Sequence, residues 1–284
     1  MTPRRADLLL VAATVVWGTT FVVVKDALAA ATPLAFVTLR FGIAALVLTP
    51  FAGLRQPFTR DELKAGLLLT ALIAAGFATQ AVGLVYTTPA RSAFIVAMSS
   101  VVAPVVALAV LRERSRPWVL AALGVAAVGV YLLTAPDAGG LNRGDLWTIV
   151  TAVVFGAQIV AVAELAKRYA PRRLLWLQLV GTTLVVGAAI PFLETPHISW
   201  TPRLVTALLY AAVCATVIVF LWQMHAQRHM SSTRAALLFC FEPVVAALAS
   251  WLWVGEVLTA TQWAGGGLIV AGMLLADLPA RGPR

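Results

Sequence analysis

Residues Thr88 to Leu132 are written a second time in this chain, 143 positions further on, from Ser231 to Leu275. Arg91 falls on Arg234, Val101-Val102 on Val244-Val245, Glu113 on Glu256, Gly124 on Gly267 and Gly129 on Gly272. Each copy has a charge at its head, an apolar run, a Glu hinge and a second, glycine-spaced run. That pattern is a duplicated helix pair, and an internal repeat limits the possible folds more than any single motif. The duplication extends upstream at an offset of 138, with Asp7 on Asp145, Gly18 on Gly156 and Pro33 on Pro171. About five residues inserted in the second copy account for the change of offset. The division falls at a Pro-, Asp- and Gly-bearing stretch, PDAGGLN, which has turn chemistry. The expected units are 1–136 and 143–284, joined by a linker at 137–142 within one membrane domain.

Each repeat is made of spans. Charge-free windows run from Lys64 to Arg91, Arg91 to Arg112, Arg116 to Asp137, Asp145 to Glu164, Arg173 to Glu194, Arg203 to Arg228 and Glu256 to Asp277, enclosing 18 to 26 residues each. Three more qualify: Asp7 to Lys25, Pro33 to Phe51 with Arg40 inside, and Ser232 to Val254 with Glu242 inside. A helix crosses hydrocarbon in about 20 residues. The expected fold class is therefore all-α integral membrane, with about ten transmembrane helices as two five-helix repeats. Strands are not expected, because no period-two alternation appears. Composition agrees: 61% of the 284 residues are hydrophobic and 12% are charged, where a soluble domain has about 25% charged. The N-terminal run resembles a signal peptide, but it aligns with residues inside the second copy and is expected to remain as a helix.

The net charge of +9 does not point to nucleic acid. The cations lie in short loops, where they set orientation. Sixteen of the 21 fall on one set of helix ends, among them Arg4, Arg5, Arg55, Arg60, Lys64, Arg172 and Arg173. Only Lys25, Arg91, Arg143 and Arg203 fall on the other. Both termini are expected to be cytoplasmic, in a bacterial-type inner membrane. An odd helix number per copy makes the second copy enter from the opposite side, so the repeats are expected to be inverted, with Arg91 outside and Arg234 inside. Inverted repeats are a recurrent plan of secondary transporters, whose sites lie at the repeat interface near mid-membrane.

The whole chain resembles the drug/metabolite transporter superfamily, EamA type, and among its members the YddG-type aromatic amino acid exporters. The resemblance rests on Trp17-Gly18, Pro33, Leu39-Arg40-Phe41, the Glu-x-Leu of Glu256 to Leu258 and the Gly267 to Gly272 spacing. It implies export of aromatic and other neutral amino acids, or related metabolites, by alternating access. The halves are not equivalent: Gln178 stands opposite Arg40, and Phe155 opposite Trp17.

Candidate site residues are polar or amphipathic groups inside apolar runs: Trp17, Thr19, Thr20, Arg40, Gln80, Tyr86, Gln158, Gln178, Tyr210 and Glu242. An intramembrane charge generally faces a polar interior. Arg40 reads as a ligand for a substrate carboxylate or as a carbonyl-bound strut. Glu242 reads as a proton-coupling or ammonium-binding group, or as a buried partner for Arg40 or a backbone group. Tyr86 and Trp147 also suit the membrane interface. The glycines at 124, 129, 265, 266, 267 and 272 read as close helix contacts. Arg112, Glu113, Arg114 and Arg116, and Glu256 in the second copy, read as solvated hinge groups.

No phosphate-binding loop, metal-ligand spacing or catalytic triad occurs, so no cofactor or metal is expected. Cys214 and Cys240 read as small buried hydrophobes. The expected partners are a small-molecule substrate and the lipid bilayer, with a monomer as the unit and no nucleic acid. The competing readings are a facilitative uniporter, a channel-like facilitator, a lipid-linked flippase and an intramembrane enzyme. The last would have only Glu242, Arg40 and His225 to work with.

Overall fold

In the computed structural model, residues 2–112, 117–134, 142–254 and 259–277 are described. Glu113, Arg114, Arg116, most of the expected linker and the Glu256 to Leu258 motif lie outside these residues. The described chain is helical, apart from one isolated bridge between Ala31 and Ile198. Its helices are α1 (Pro3–Ala27), α2 (Pro33–Leu48), α3 (Arg60–Tyr86), α4 (Pro89–Ala97), α5 (Ser99–Val106), α6 (Pro117–Thr134) and α7 (Arg143–Arg168). They continue as α8 (Pro171–Leu193), α9 (Pro202–Leu209), α10 (Val219–Gln227), α11 (Ser232–Phe239), α12 (Glu242–Val254) and α13 (Ala260–Asp277).

Among the described residues, eight stretches are long and apolar enough to cross a membrane: Arg4–Ala27, Pro33–Phe51, Arg60–Tyr86, Arg91–Leu111, Arg143–Arg168, Pro171–Leu193, Pro202–Gln227 and Ser232–Ala249. A shorter apolar helix spans Leu120–Leu132. The starts follow local chemistry. Proline sits in the first turn of α1, α2, α4, α8 and α9, where a missing N–H costs nothing. Thr59 with Glu62, and Asn142 with Asp145, form reciprocal capping boxes on α3 and α7.

Two of the spans are broken midway. Helix α4 gives way to α5 at Met98, and α11 to α12 at Cys240-Phe241. Tight turns bridge the gaps, with the Met98 amide donating to Ile95 and that of Phe241 to Leu238, both at 3.1 Å. Pro243 offers no N–H and crowds the carbonyl four residues earlier, which is sufficient cause for the second break. A third irregularity is the π-helical segment Tyr210–Ile218, between α9 and α10.

Matched contacts join the two copies. Arg91 Nε and Nη2 meet the Asp145 oxygens at 2.8 and 2.6 Å. Arg234 meets Asp7 through the same atoms at 3.0 and 2.8 Å. Asp7 stands at the start of α1. Lys25, at the end of α1, donates to the carbonyls of Leu84, Val85 and Thr87, and Thr87 donates through its hydroxyl to Asp145. The two ion pairs therefore lie at opposite ends of α1, about 27 Å apart along its axis. Helix α8 is fastened to the first copy at both of its ends. Near its start, Arg173 holds Glu62 and the carbonyls of Gly53, Gln56 and Pro57. Just beyond its end, Glu194 accepts from Thr32, Leu34 and Ala35.

Helices α6 and α13 pack on each other, but not through every glycine of their spacing. A Cβ on Gly129 would stand 2.7 Å from the Gly265 carbonyl, and one on Gly272 2.7 Å from the Ala122 carbonyl. Gly124 and Gly267 have nothing within 4 Å, so the close-contact expectation is corrected at those two positions: they face away from the partner helix. Gly129→Ala and Gly272→Ala are expected to cost about 1–3 kcal/mol by overpacking. Gly124→Ala and Gly267→Ala are expected to be neutral or slightly stabilising, and thermal unfolding in detergent distinguishes the two groups.

Candidate functional site: a central cavity between the two copies

Trp17 and Thr20 of α1, Arg40 of α2, Gln80 of α3, Gln158 of α7 and Glu242 of α12 all line one cavity of about 60 Å³. The other lining residues are Phe21, Ile73, Phe77, Val96, Ser99, Phe155, Ile159, Phe220, Gln223 and Phe239. Most of them come in pairs at the repeat offsets. Trp17 pairs with Phe155, Thr20 with Gln158 and Phe21 with Ile159, each at 138. Phe77 pairs with Phe220, Gln80 with Gln223, Val96 with Phe239 and Ser99 with Glu242, each at 143. Only Arg40 and Ile73 lack a mate on the wall.

Close helix approach brings this wall together. A Cβ on Gly18 would meet Val245 at 2.7 Å and the Glu242 carbonyl at 2.9 Å. A Cβ on Gly156 would meet Val102 at 2.6 Å and the Ser99 carbonyl at 3.1 Å. Glycine at these positions lets α1 and α7 press against the two helix breaks. The first residue after each break, Glu242 or Ser99, thereby reaches the cavity.

Arg40 is buried. Its Nε donates to Thr216 Oγ1 at 2.9 Å, and Thr216 passes a hydrogen bond on to the Ala211 carbonyl at 2.7 Å. The guanidinium lies 4.7 Å from the Phe77 ring centroid, a cation–π distance. The neighbouring Ala215 carbonyl accepts from Trp17 Nε1 at 2.9 Å. The π-helical segment thus supplies the acceptors that seat both Trp17 and Arg40, a common use of such segments at functional sites. Trp17 meets Phe220 edge-on at 5.4 Å. Among the described residues no carboxylate pairs with Arg40, and no cation pairs with Glu242. The expected alternative of an Arg40–Glu242 ion pair is therefore not formed.

Four expected site residues stand elsewhere. Thr19 and Tyr210 bond each other at 2.6 Å outside the cavity wall. Tyr86 is exposed at the end of α3. Gln178 is fully buried in α8, with neither amide atom partnered. His225 faces outward and bonds its own helix at Leu221. Among the described residues no cluster of His, Cys, Asp or Glu could hold a metal. Sequence reading passed over Phe77, Phe220 and Phe239, because phenylalanine is also what lipid-facing positions carry. The offset of 143 between Phe77 and Phe220, each three residues before a glutamine, was the available signal.

The profile of the EamA-like transporter family matches residues 4–135 and again residues 142–276. The chain belongs to the EamA-like transporter family. An uncharacterized transporter of Archaeoglobus fulgidus is 31% identical over 273 residues, covering 96% of this chain and 86% of its own. The uncharacterized inner membrane transporter YicL of Salmonella typhimurium is 28% identical over 62% of this chain and 61% of its own. A crystal structure of a protein 17% identical to this one superposes with a TM-score of 0.79, covering 96% of this chain and 98% of its own, which shows a shared fold. This EamA-like chain is accordingly a multi-pass membrane transporter, with the bilayer as its surroundings and a small molecule as its cargo.

The Arg40 seat can be tested apart from transport. Thr216→Val leaves a buried guanidinium N–H without its acceptor and is expected to lower stability by about 1–3 kcal/mol. Thr216→Ser, which keeps the oxygen, is expected to restore most of the loss in a thermal unfolding assay.

Proposed function

We propose that this transporter is a secondary carrier that exports small amphipathic metabolites, aromatic and other neutral amino acids first, by alternating access. Its two five-helix halves, 1–136 and 143–284 with a linker at 137–142, are inverted relative to each other and rock around the central cavity. The termini are cytoplasmic, in an inner membrane. The observation that carries the reading is a cation and a carboxylate, Arg40 and Glu242, on one aromatic-lined cavity with no ion pair between them. A zwitterion offers each charge its complement, and the rings suit an apolar side chain. Arg40 holds the substrate carboxylate. Glu242 holds the ammonium or exchanges a proton for it.

Alternating access is supported by the two ion pairs at opposite ends of α1. Each joins one half to the other, so separating one while keeping the other opens a single side. At about 60 Å³ the cavity is below the range of about 300–1,000 Å³ usual for ligand pockets. An amino acid enters only when the halves move apart, which favours a carrier over an open channel.

Proteoliposome counterflow of labelled amino acids, run with and without a pH gradient, tests the proposal. Saturable counterflow of phenylalanine or tryptophan is expected, and its absence across the neutral amino acids would refute the reading. Glu242→Gln is expected to express normally while altering the rate or its pH profile, and transport unchanged at every pH removes Glu242 from the mechanism. Arg40→Gln is expected to lower transport of amino acids by tenfold or more, with less effect on amines that lack a carboxylate.

A further inference from the structure

Two glutamines on the cavity wall, both from the second copy, are bonded to each other and left incomplete. Gln223 Nε2 donates to Gln158 Oε1 at 3.2 Å. Both side chains are almost wholly buried, at 3% exposure for Gln158 and 1% for Gln223. Gln158 Nε2 and Gln223 Oε1 then have no partner. A single amide–amide bond uses one N–H and one carbonyl, so it leaves an open donor on one glutamine and an open acceptor on the other. Reversing both amides exchanges the roles and changes nothing else. Burying an amide atom without a partner is costly, and the repeat does not require an amide at position 158: the equivalent residue is Thr20, bonded to its own helix through the Trp17 carbonyl.

We infer that Gln158 and Gln223 form a hydrogen-bonding subsite for a neutral group, on the substrate's side chain, that both donates and accepts. The inference rests on the amino acid export reading and deepens it. Phe155 lies one turn from Gln158 and Phe220 one turn from Gln223, and all four residues line the cavity, so the glutamine pair stands beside the aromatic part of the wall. A phenolic hydroxyl or a carboxamide there accepts from the open N–H and donates to the open carbonyl. An apolar side chain of the same size leaves both unmet. The subsite therefore sorts neutral amino acids by side-chain polarity, whereas Arg40 and Glu242 hold what all of them share.

The test is competition for counterflow by near-isosteric pairs, tyrosine against phenylalanine and glutamine against norleucine, with the full chain in liposomes. At least one pair is expected to favour its polar member by about tenfold or more; the pair that does so tells hydroxyl from carboxamide. In Gln158→Met, Gln223→Met and the double variant, that ratio is expected to fall to within about twofold. A wild-type ratio near one in both pairs overturns the inference, since it means that only water meets the two amide atoms. So does a preference that survives the double substitution. Thermal shifts of the detergent-solubilised protein with p-cresol and propionamide, against toluene, judge the subsite without any transport. If no amino acid shows counterflow, the export reading fails, while a p-cresol or propionamide shift lost in the double variant still upholds the subsite and its absence still refutes it.

Discussion

Hydrocarbon gives a backbone carbonyl nothing to bond, so any departure from regular helix at membrane depth has to turn toward protein or water. The Met98 turn, the Cys240-Phe241 turn and the π-helical turn at Ala215-Thr216 obey this rule: the first two are flanked by residues of the cavity wall, and the third holds the wall residues Trp17 and Arg40. The freed or displaced backbone then becomes useful. The Ala215 carbonyl receives the Trp17 indole, the adjacent Thr216 receives Arg40 through its hydroxyl, and the two broken spans present Ser99 and Glu242. The irregular segment Ala107–Leu111 differs because it runs out to Arg112, the one described non-glycine residue with positive φ, at a helix end.

The duplication supplies a scaffold, and a few substitutions give it polarity. Seven pairs of positions at the repeat offsets line the cavity. On that matched wall, the charges stand where the match fails. Glu242 replaces the serine of the first copy, and Arg40 has for its counterpart a glutamine that does not reach the wall. A symmetric cavity would treat both ends of a substrate alike, and under the proposed export of amino acids these two residues provide the difference that a zwitterion requires.

Much of this was legible in the chain itself, for physical reasons that vary by residue. Eight of the ten expected spans were legible, because hydrocarbon thickness sets the length of an apolar run. The alignment of Asp7 with Asp145 and of Arg91 with Arg234 was visible as arithmetic. That the acids bind the arginines across the halves was not, because periodicity carries no information about which distant helix is a neighbour. Trp17, Thr20, Arg40, Gln80, Gln158 and Glu242 were singled out as polar groups in apolar runs, and the structure brings them to one wall. Thr19, Tyr86, Gln178 and Tyr210 met the same criterion and stand elsewhere, since polarity gives no rotational phase about a helix. Gly124 and Gly267 had the right spacing and the wrong face.

The account depends on the two halves crossing the bilayer in opposite senses around that cavity. Thr88 and Ser231 are exposed N-cap residues at equivalent positions of the repeat, 143 apart. With Cys214 and Cys240 replaced by alanine, Thr88→Cys and Ser231→Cys can be labelled by a membrane-impermeant thiol reagent in intact cells and in inverted vesicles. The account predicts that position 88 reacts from outside only and position 231 from the cytoplasmic side only. Reaction of both from the same side would contradict it.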